Sequence, residues 1–144
     1  MKYFFIIVVC SLFTLRTFAG TTGTPGYGDT TIAIIQEDIT TSIAAAIKDG
    51  DSKKLASYFN SSIDLTVPGT EGTYSKSQAE MIVKDFFTKF PPVTFKINQQ
   101  GSSTEGSQFA VGILATKSGV FRTYFLIKKV NNLPLIHQLQ FEEE

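Results

Sequence analysis

The chain has 144 residues, with 13 lysines and arginines against 13 aspartates and glutamates, one histidine and one cysteine. A formal charge of zero leaves no basic excess to neutralise a phosphate backbone, which excludes nucleic acid as the expected partner. About 110 residues beyond the leader suffice for one domain with its own core, and Cys10 falls inside that leader, so no disulfide supports the fold.

Lys2 precedes an apolar run over residues 3–15, and Thr17-Phe18-Ala19 ends on a small residue, the layout of a secretory signal peptide over 1–19. The run is shorter than the roughly 20 residues a bilayer helix needs. Cys10 follows Val8-Val9 instead of small residues, so lipid attachment is not expected. The domain is therefore expected to be exported, periplasmic or extracellular, with no membrane span after cleavage. Losing Lys2 and Arg16 leaves eleven basic against thirteen acidic side chains. Glycines, threonines and Pro25 make residues 20–31 a flexible leader. Asp29-Thr30-Thr31 is read as a helix start and Asn60-Ser61-Ser62 as a chance sequon, not as glycosylation sites. The folded domain is assigned to 32–144.

Ile32, Ile35, Ile39, Ile43 and Ile47 recur at helical spacing, and Gly50 ends the helix. Asp51 starts a second helix that buries Leu55, Tyr58 and Phe59. Ile63, Leu65 and Val67 alternate along a strand that Pro68-Gly69 stops, with Asp64 pointing away from the apolar face. Glu71-Gly72-Thr73 reads as a turn, and Ser75 with Gln78 as a capping box for a third helix striped by Ala79, Ile82, Val83, Phe86 and Phe90. After Pro91-Pro92, residues 93–97 alternate along a strand, and Gln99 to Ser103 read as a turn. Residues 109–115, 120–127 and 135–141 then form a meander, joined at Lys117-Ser118-Gly119 and Val130-Asn131-Asn132. The expected class is α+β in the order α-α-β-α-β-β-β-β, a curved antiparallel sheet around a long helix.

The stretches Val67-Pro68-Gly69-Thr70-Glu71-Gly72, Tyr74-Ser75-Lys76, Phe86-Phe87 before Pro91-Pro92, Gln100-Gly101-Ser102-Ser103 and Phe121-Arg122-Thr123-Tyr124-Phe125 resemble an uncharacterised, domain-of-unknown-function family of exported Bacteroidetes proteins. That family is similar to the nuclear transport factor 2-like superfamily, which implies a cone-shaped, cystatin-like fold that often leaves a pocket and often pairs through its sheet. The fold hosts isomerases, dehydratases and binding modules alike, so it does not settle function. Ketosteroid isomerases of the superfamily place an Asp base where this chain has Val67, and oxyanion donors near Ile43 and Leu126. Hydrocarbon at all three positions leaves that proton transfer without its base.

Only His137 could serve as an imidazole base, and a lone histidine in an alternating strand is expected to be structural. One histidine with scattered acids does not make a metal site, and no glycine-rich phosphate loop is present, so no cofactor or metal is expected. The Glu142-Glu143-Glu144 run is read as solvated. Arg122 stands mid-strand beside Tyr124, able to pair with a carboxylate ligand, although an ion pair with Glu105 or a stem packed along the sheet is the plainer expectation. Arg122, Tyr124 and Leu126 share one strand face, and Phe121, Thr123, Phe125 and Ile127 the other. Since both faces are apolar, the back of the sheet is expected to be covered, by a homodimer contact through Phe121, Phe125 and Ile127 or by another protein. The functional expectation is a non-enzymatic module that holds a small apolar ligand or a protein partner, its pocket near Tyr58, Arg122, Tyr124 and Gln138. The alternative is a small isomerase, hydratase or hydrolase using His137 with Asp64, or Tyr124 with Arg122.

Overall fold

The computed structural model describes residues 38–144. The signal peptide expected over 1–19, the leader over 20–31, and Ile32 and Ile35 lie outside the described residues. Helix α1 (Ile39–Asp49) is opened by Asp38, whose carboxylate accepts the Thr40 N–H, and closed by Gly50 at φ 65°. Helix α2 (Ser52–Ser57) is capped by Asp51, which accepts the Lys54 N–H at 2.9 Å. Strand β1 (Phe59–Val67) turns at Pro68-Gly69 into β2 (Thr70–Ser75), and Ser75 with Gln78 caps α3 (Lys76–Lys89) reciprocally. Strands β3 (Pro92–Ser102), β4 (Gln108–Thr116), β5 (Gly119–Val130) and β6 (Leu133–Glu143) complete the chain.

These six strands form one sheet in the order β2-β1-β6-β5-β4-β3, antiparallel throughout except for β1 beside β6. The α+β class and the curved sheet match the expectation; the element order does not. Residues 71–73 form the middle of β2 instead of a turn, because Pro68-Gly69, with Gly69 at φ 81°, already reverses the chain. Gln99 and Gln100 likewise belong to β3, where an edge strand leaves polar side chains in water.

The sheet has two distinct faces. Ile63, Leu65 and Val67 of β1, Ala110 and Leu114 of β4, Phe121, Phe125 and Ile127 of β5, and Ile136, Leu139 and Phe141 of β6 are buried with Ile43, Ile47, Leu55, Val83, Phe86 and Phe87 of the helices. This face points at the helices. The expectation that Phe121, Phe125 and Ile127 form an outer, dimer-making face is therefore corrected. The alternation was read correctly, but its sign was inverted: the richer hydrocarbon row goes to the core, since that is where burial removes most apolar area from water.

At the centre of the core, Phe86 of α3 stacks on Phe141 of β6 at 4.6 Å and meets Phe121 of β5 edge-on at 5.1 Å. Phe90 adds a second edge contact to Phe121 at 4.8 Å, and Phe87 meets Phe141 at 5.9 Å. Such pairs add about 0.5–1.5 kcal/mol each beyond area burial. Across from this cluster the sheet is thin. Gly112 lies where a Cβ would come within 2.7 Å of both the Phe95 ring and the Lys96 carbonyl oxygen, so only glycine fits there. Its neighbour Thr123 is fully buried, and the hydroxyl oxygen has no hydrogen-bond partner.

Two stability changes of opposite sign follow. Phe86→Ala removes the shared ring of the cluster and is expected to cost about 3–5 kcal/mol in urea unfolding. Thr123→Val replaces an unpaired buried hydroxyl by a methyl and is expected to raise stability by about 1 kcal/mol. A loss on Thr123→Val would mean that the hydroxyl has a partner after all.

Candidate functional site

Polar groups lie in two places, one on each face of the sheet. On the helix side, the start of α1, residue Tyr58 and the ends of β4, β5 and β6 surround an open recess of about 530 Å³, lined among others by Ile39, Ser42, Tyr58, Gln108, Ile127 and Lys129. A second recess of about 270 Å³ adjoins it through Asp38 and Gln108 and reaches Gly101 and Phe109 at the sheet edge. Gln108 holds an amide oxygen that is buried without a partner. Asp38 is partly occupied by its capping bond to the Thr40 N–H at 3.3 Å.

The outer face carries the remaining candidates. Arg122 and Tyr124 share a shallow dimple of about 130 Å³ with Gln140 and Glu142. Arg122 stands directly opposite Glu142 on β6 and Ile113 on β4, and not beside Glu105, which belongs to the turn before β4. Gln138 lies between Leu126 and Asp64 on the neighbouring strands. The four residues expected to line one pocket thus do not converge. Tyr58 sits at the recess on the helix side, while Arg122, Tyr124 and Gln138 belong to the outer face, because β5 presents its even-numbered residues outward.

Leu126 is corrected for the same reason. It faces outward, and the residues that β5 turns inward beside it are Phe125 and Ile127. Val67 and Ile43 are buried in the core as expected, so every interior position compared with the isomerases is still hydrocarbon. Asp64 is exposed and accepts a hydrogen bond from the Thr73 hydroxyl at 2.6 Å on the outer face. No cluster of His, Cys, Asp or Glu that could hold a metal ion occurs among the described residues.

His137 occupies an irregularity in β6. The register shifts between Leu126 and Ile127, so two residues, His137 and Gln138, separate the buried Ile136 from the buried Leu139. The imidazole Nε2 is buried without a partner. Burial, and after it the Lys128 charge, pull its pKa below the usual histidine value, against an upward pull from Asp64. No sequence signal marks this shift, because alternation alone assumes a regular strand.

The native state thus binds the His137 proton less readily than the unfolded chain. The resulting stability is complete above the unfolded value of about 6.5 and is lost as the pH falls through and below it. His137→Gln is therefore expected to flatten the fall in urea midpoint between about pH 7.5 and about pH 5. An unchanged slope would show that the ring titrates as freely in the folded protein as in the unfolded one.

A family model described as a domain of unknown function (DUF4783) matches residues 40–142. No curated protein matches the chain. A DUF4783 family protein from Bacteroides ovatus is 35% identical over 72% of this chain and 93% of its own, with a TM-score of 0.68. Another from Bacteroides uniformis is 31% identical over 74% of this chain and 98% of its own, with a TM-score of 0.70. A protein whose printed name, Rd1NTF2_05, carries the abbreviation of nuclear transport factor 2 is 13% identical over 72% of this chain and 92% of its own, with a TM-score of 0.57. An uncharacterized cystatin fold protein from Novosphingobium aromaticivorans is 12% identical over 71% of this chain and 92% of its own, with a TM-score of 0.53. The last two show the fold alone. With the family model spanning α1 to β6 and these structures sharing its sheet and helices, the chain belongs to the DUF4783 family and has a nuclear transport factor 2-like, cystatin-like fold.

Proposed function

We propose that this domain is an exported, non-catalytic interaction module whose working surface is the outer face of the sheet, where it meets a protein partner. The placement of hydrocarbon carries this reading. Phenyl rings from α3, β5 and β6 meet inside the curved sheet, where a catalytic relative would keep its polar groups. Yet Phe109, Val111, Ile113, Tyr124 and Leu126 lie half-buried on the outer face and do not join the core. Partly exposed hydrocarbon grouped on one face favours a partner surface. Export is supported by the apolar run that follows Lys2.

The candidate acid-base groups fit this reading. Asp64 and His137 belong to the outer side of β1 and β6, and the Asp64 carboxylate is already taken by Thr73. Among the described residues, no buried acid or base pairs with them to move a proton. A second reading, a small, mainly apolar ligand carrying one hydrogen-bond donor in the recess at Tyr58, is favoured by one observation, the unpartnered amide oxygen of Gln108 at the junction of the two recesses.

Native mass spectrometry of the protein purified from its own host, with two variants, separates the readings. A protein partner lost on Tyr124→Lys but kept on Tyr58→Ala is the expected result. A small-molecule adduct lost on Tyr58→Ala and kept on Tyr124→Lys would transfer the function to the recess and end the outer-face reading.

A further inference from the structure

We propose that the open edge of the sheet at β2, a surface separate from the outer face, takes an extended peptide as a seventh strand, one that alternates apolar with basic side chains. The two edges of the sheet are built differently. Strand β3 carries Pro92 and Lys96, and its register against β4 shifts in two places. Proline, lysine and irregular register all keep an edge from pairing. Strand β2 contains no proline and no lysine, and its register against β1 runs unbroken from the pair Val67 and Thr70 to the pair Ser62 and Ser75. No strand lies on its other side among the described residues.

The hairpin decides which backbone groups of β2 stay open. Pro68-Gly69 is a two-residue turn, so Val67 and Thr70 close it as a hydrogen-bonded pair, and bonded pairs then recur at every second residue, at Leu65 with Gly72 and at Ile63 with Tyr74. Glu71, Thr73 and Ser75 therefore turn their N–H and C=O groups away from β1. The capping box agrees, since the Ser75 N–H donates to the Gln78 side chain at 3.1 Å. With that N–H taken, Glu71 and Thr73 offer two N–H and two C=O groups to an added strand. The Tyr74 hydroxyl reaches the Glu71 carbonyl at 3.5 Å, a long contact that a ladder bond of about 2.9 Å would supersede.

The same alternation sorts the side chains of the added strand. On the helix side they meet an open groove of about 440 Å³ between β2 and α3, lined by Tyr74, Ser77, Gln78, Met81 and Ile82. Met81 is 58% exposed, an adaptable thioether left in water beside this groove. A smaller recess of about 140 Å³, reached past Ile82, lies at Thr70 and Phe90. Thr70 and Tyr74 stand four residues apart on one side of β2, so apolar side chains at that spacing in the peptide enter the two hollows in turn. On the outer side the peptide meets acid. Strands β1 and β2 expose Asp64 and Glu71 there and carry no lysine or arginine. Basic side chains on that side of the peptide are attracted, whereas β2 of a second copy would bring only further acid to the edge. Backbone pairing with pockets for alternate side chains is the physics of strand addition.

Amide hydrogen exchange followed by NMR on the purified protein tests this, with the end-blocked peptide Lys-Val-Lys-Ile-Lys-Val as probe and Glu-Val-Glu-Ile-Glu-Val as its acidic counterpart. The basic peptide is expected to bind saturably and to slow exchange at Glu71 and Thr73, while Gly72 and Tyr74, already bonded to β1, stay unchanged. The acidic peptide is expected to bind at least about tenfold more weakly. Glu71→Lys is expected to raise the Kd of the basic peptide about fivefold and Met81→Glu about tenfold, with the fold of each variant checked by circular dichroism. Lack of saturable binding, protection that spares Glu71 and Thr73, or a Kd indifferent to both variants would overturn strand addition at β2. Equal binding of the two peptides would overturn the basic partner. Protection of Glu71 and Thr73 that grows with protein concentration in the absence of peptide would make the occupant a second copy and overturn the proposal as well.

Discussion

The packing of Phe86 between Phe121 and Phe141 is the constraint on which the rest of this domain depends. It ties α3 to the two central strands β5 and β6, and it does so from inside the curve of the sheet. Once those rings meet, the odd-numbered residues of β5 must face the helices, and Arg122, Tyr124 and Leu126 must face away. Ring contacts also occupy volume. The rings fill the centre, and open recesses lie around them, one beside Tyr58 and Gln108 and a smaller one where Phe86 and Phe90 meet Val67 and Pro68. The thin spot at Gly112, overlain by the Phe95 ring, belongs to the same packing, because close approach of ring and backbone excludes even a methyl group.

This filling is why the proposed function is placed on the outer face of the sheet. In a fold that often holds a polar pocket, the chain has instead placed Val67, Ile43 and the β5 phenylalanines inside, and Asp64, Arg122, Gln138 and Gln140 on the reverse of the sheet. A hydrocarbon interior gives chemistry no charge to develop against, whereas a half-buried apolar band on the outer face can seat a partner. The bulge at His137 belongs to this outer side, and it leaves one imidazole nitrogen without a partner in the structure. Family membership agrees with the fold and adds no catalytic assignment.

Much of the architecture was legible from residues. Capping at Ser75 and Gln78, the glycine stop at Gly50, the helix stripe through Phe86 and the three runs of the meander each carry a local physical signal, and each is found in the structure. Strand β2 was not legible, since Thr70 to Ser75 contains one large apolar residue, Tyr74, and an edge strand needs no more. The faces of β5 were legible as two sets, but not their direction. Phe121, Phe125 and Ile127 on one side and Tyr124 and Leu126 on the other are both apolar, and only the partner rings of α3 and β6 decide between them. Reading Arg122 and Tyr124 as pocket residues followed from that inversion. That Glu71, Asp64 and Glu142 share the outer side of three neighbouring strands was invisible for another reason: it depends on strand order β2-β1-β6-β5-β4-β3, which is not written in any local pattern.

The account rests on an interior that is closed. Diffraction from crystals of the protein under xenon pressure tests this most directly, because xenon enters apolar cavities that packing leaves empty. No xenon density among Phe86, Phe121, Phe141 and Thr123 is the result the account predicts. An ordered xenon atom in that region would show a cavity inside the sheet and contradict the claim that this domain acts only through its surface.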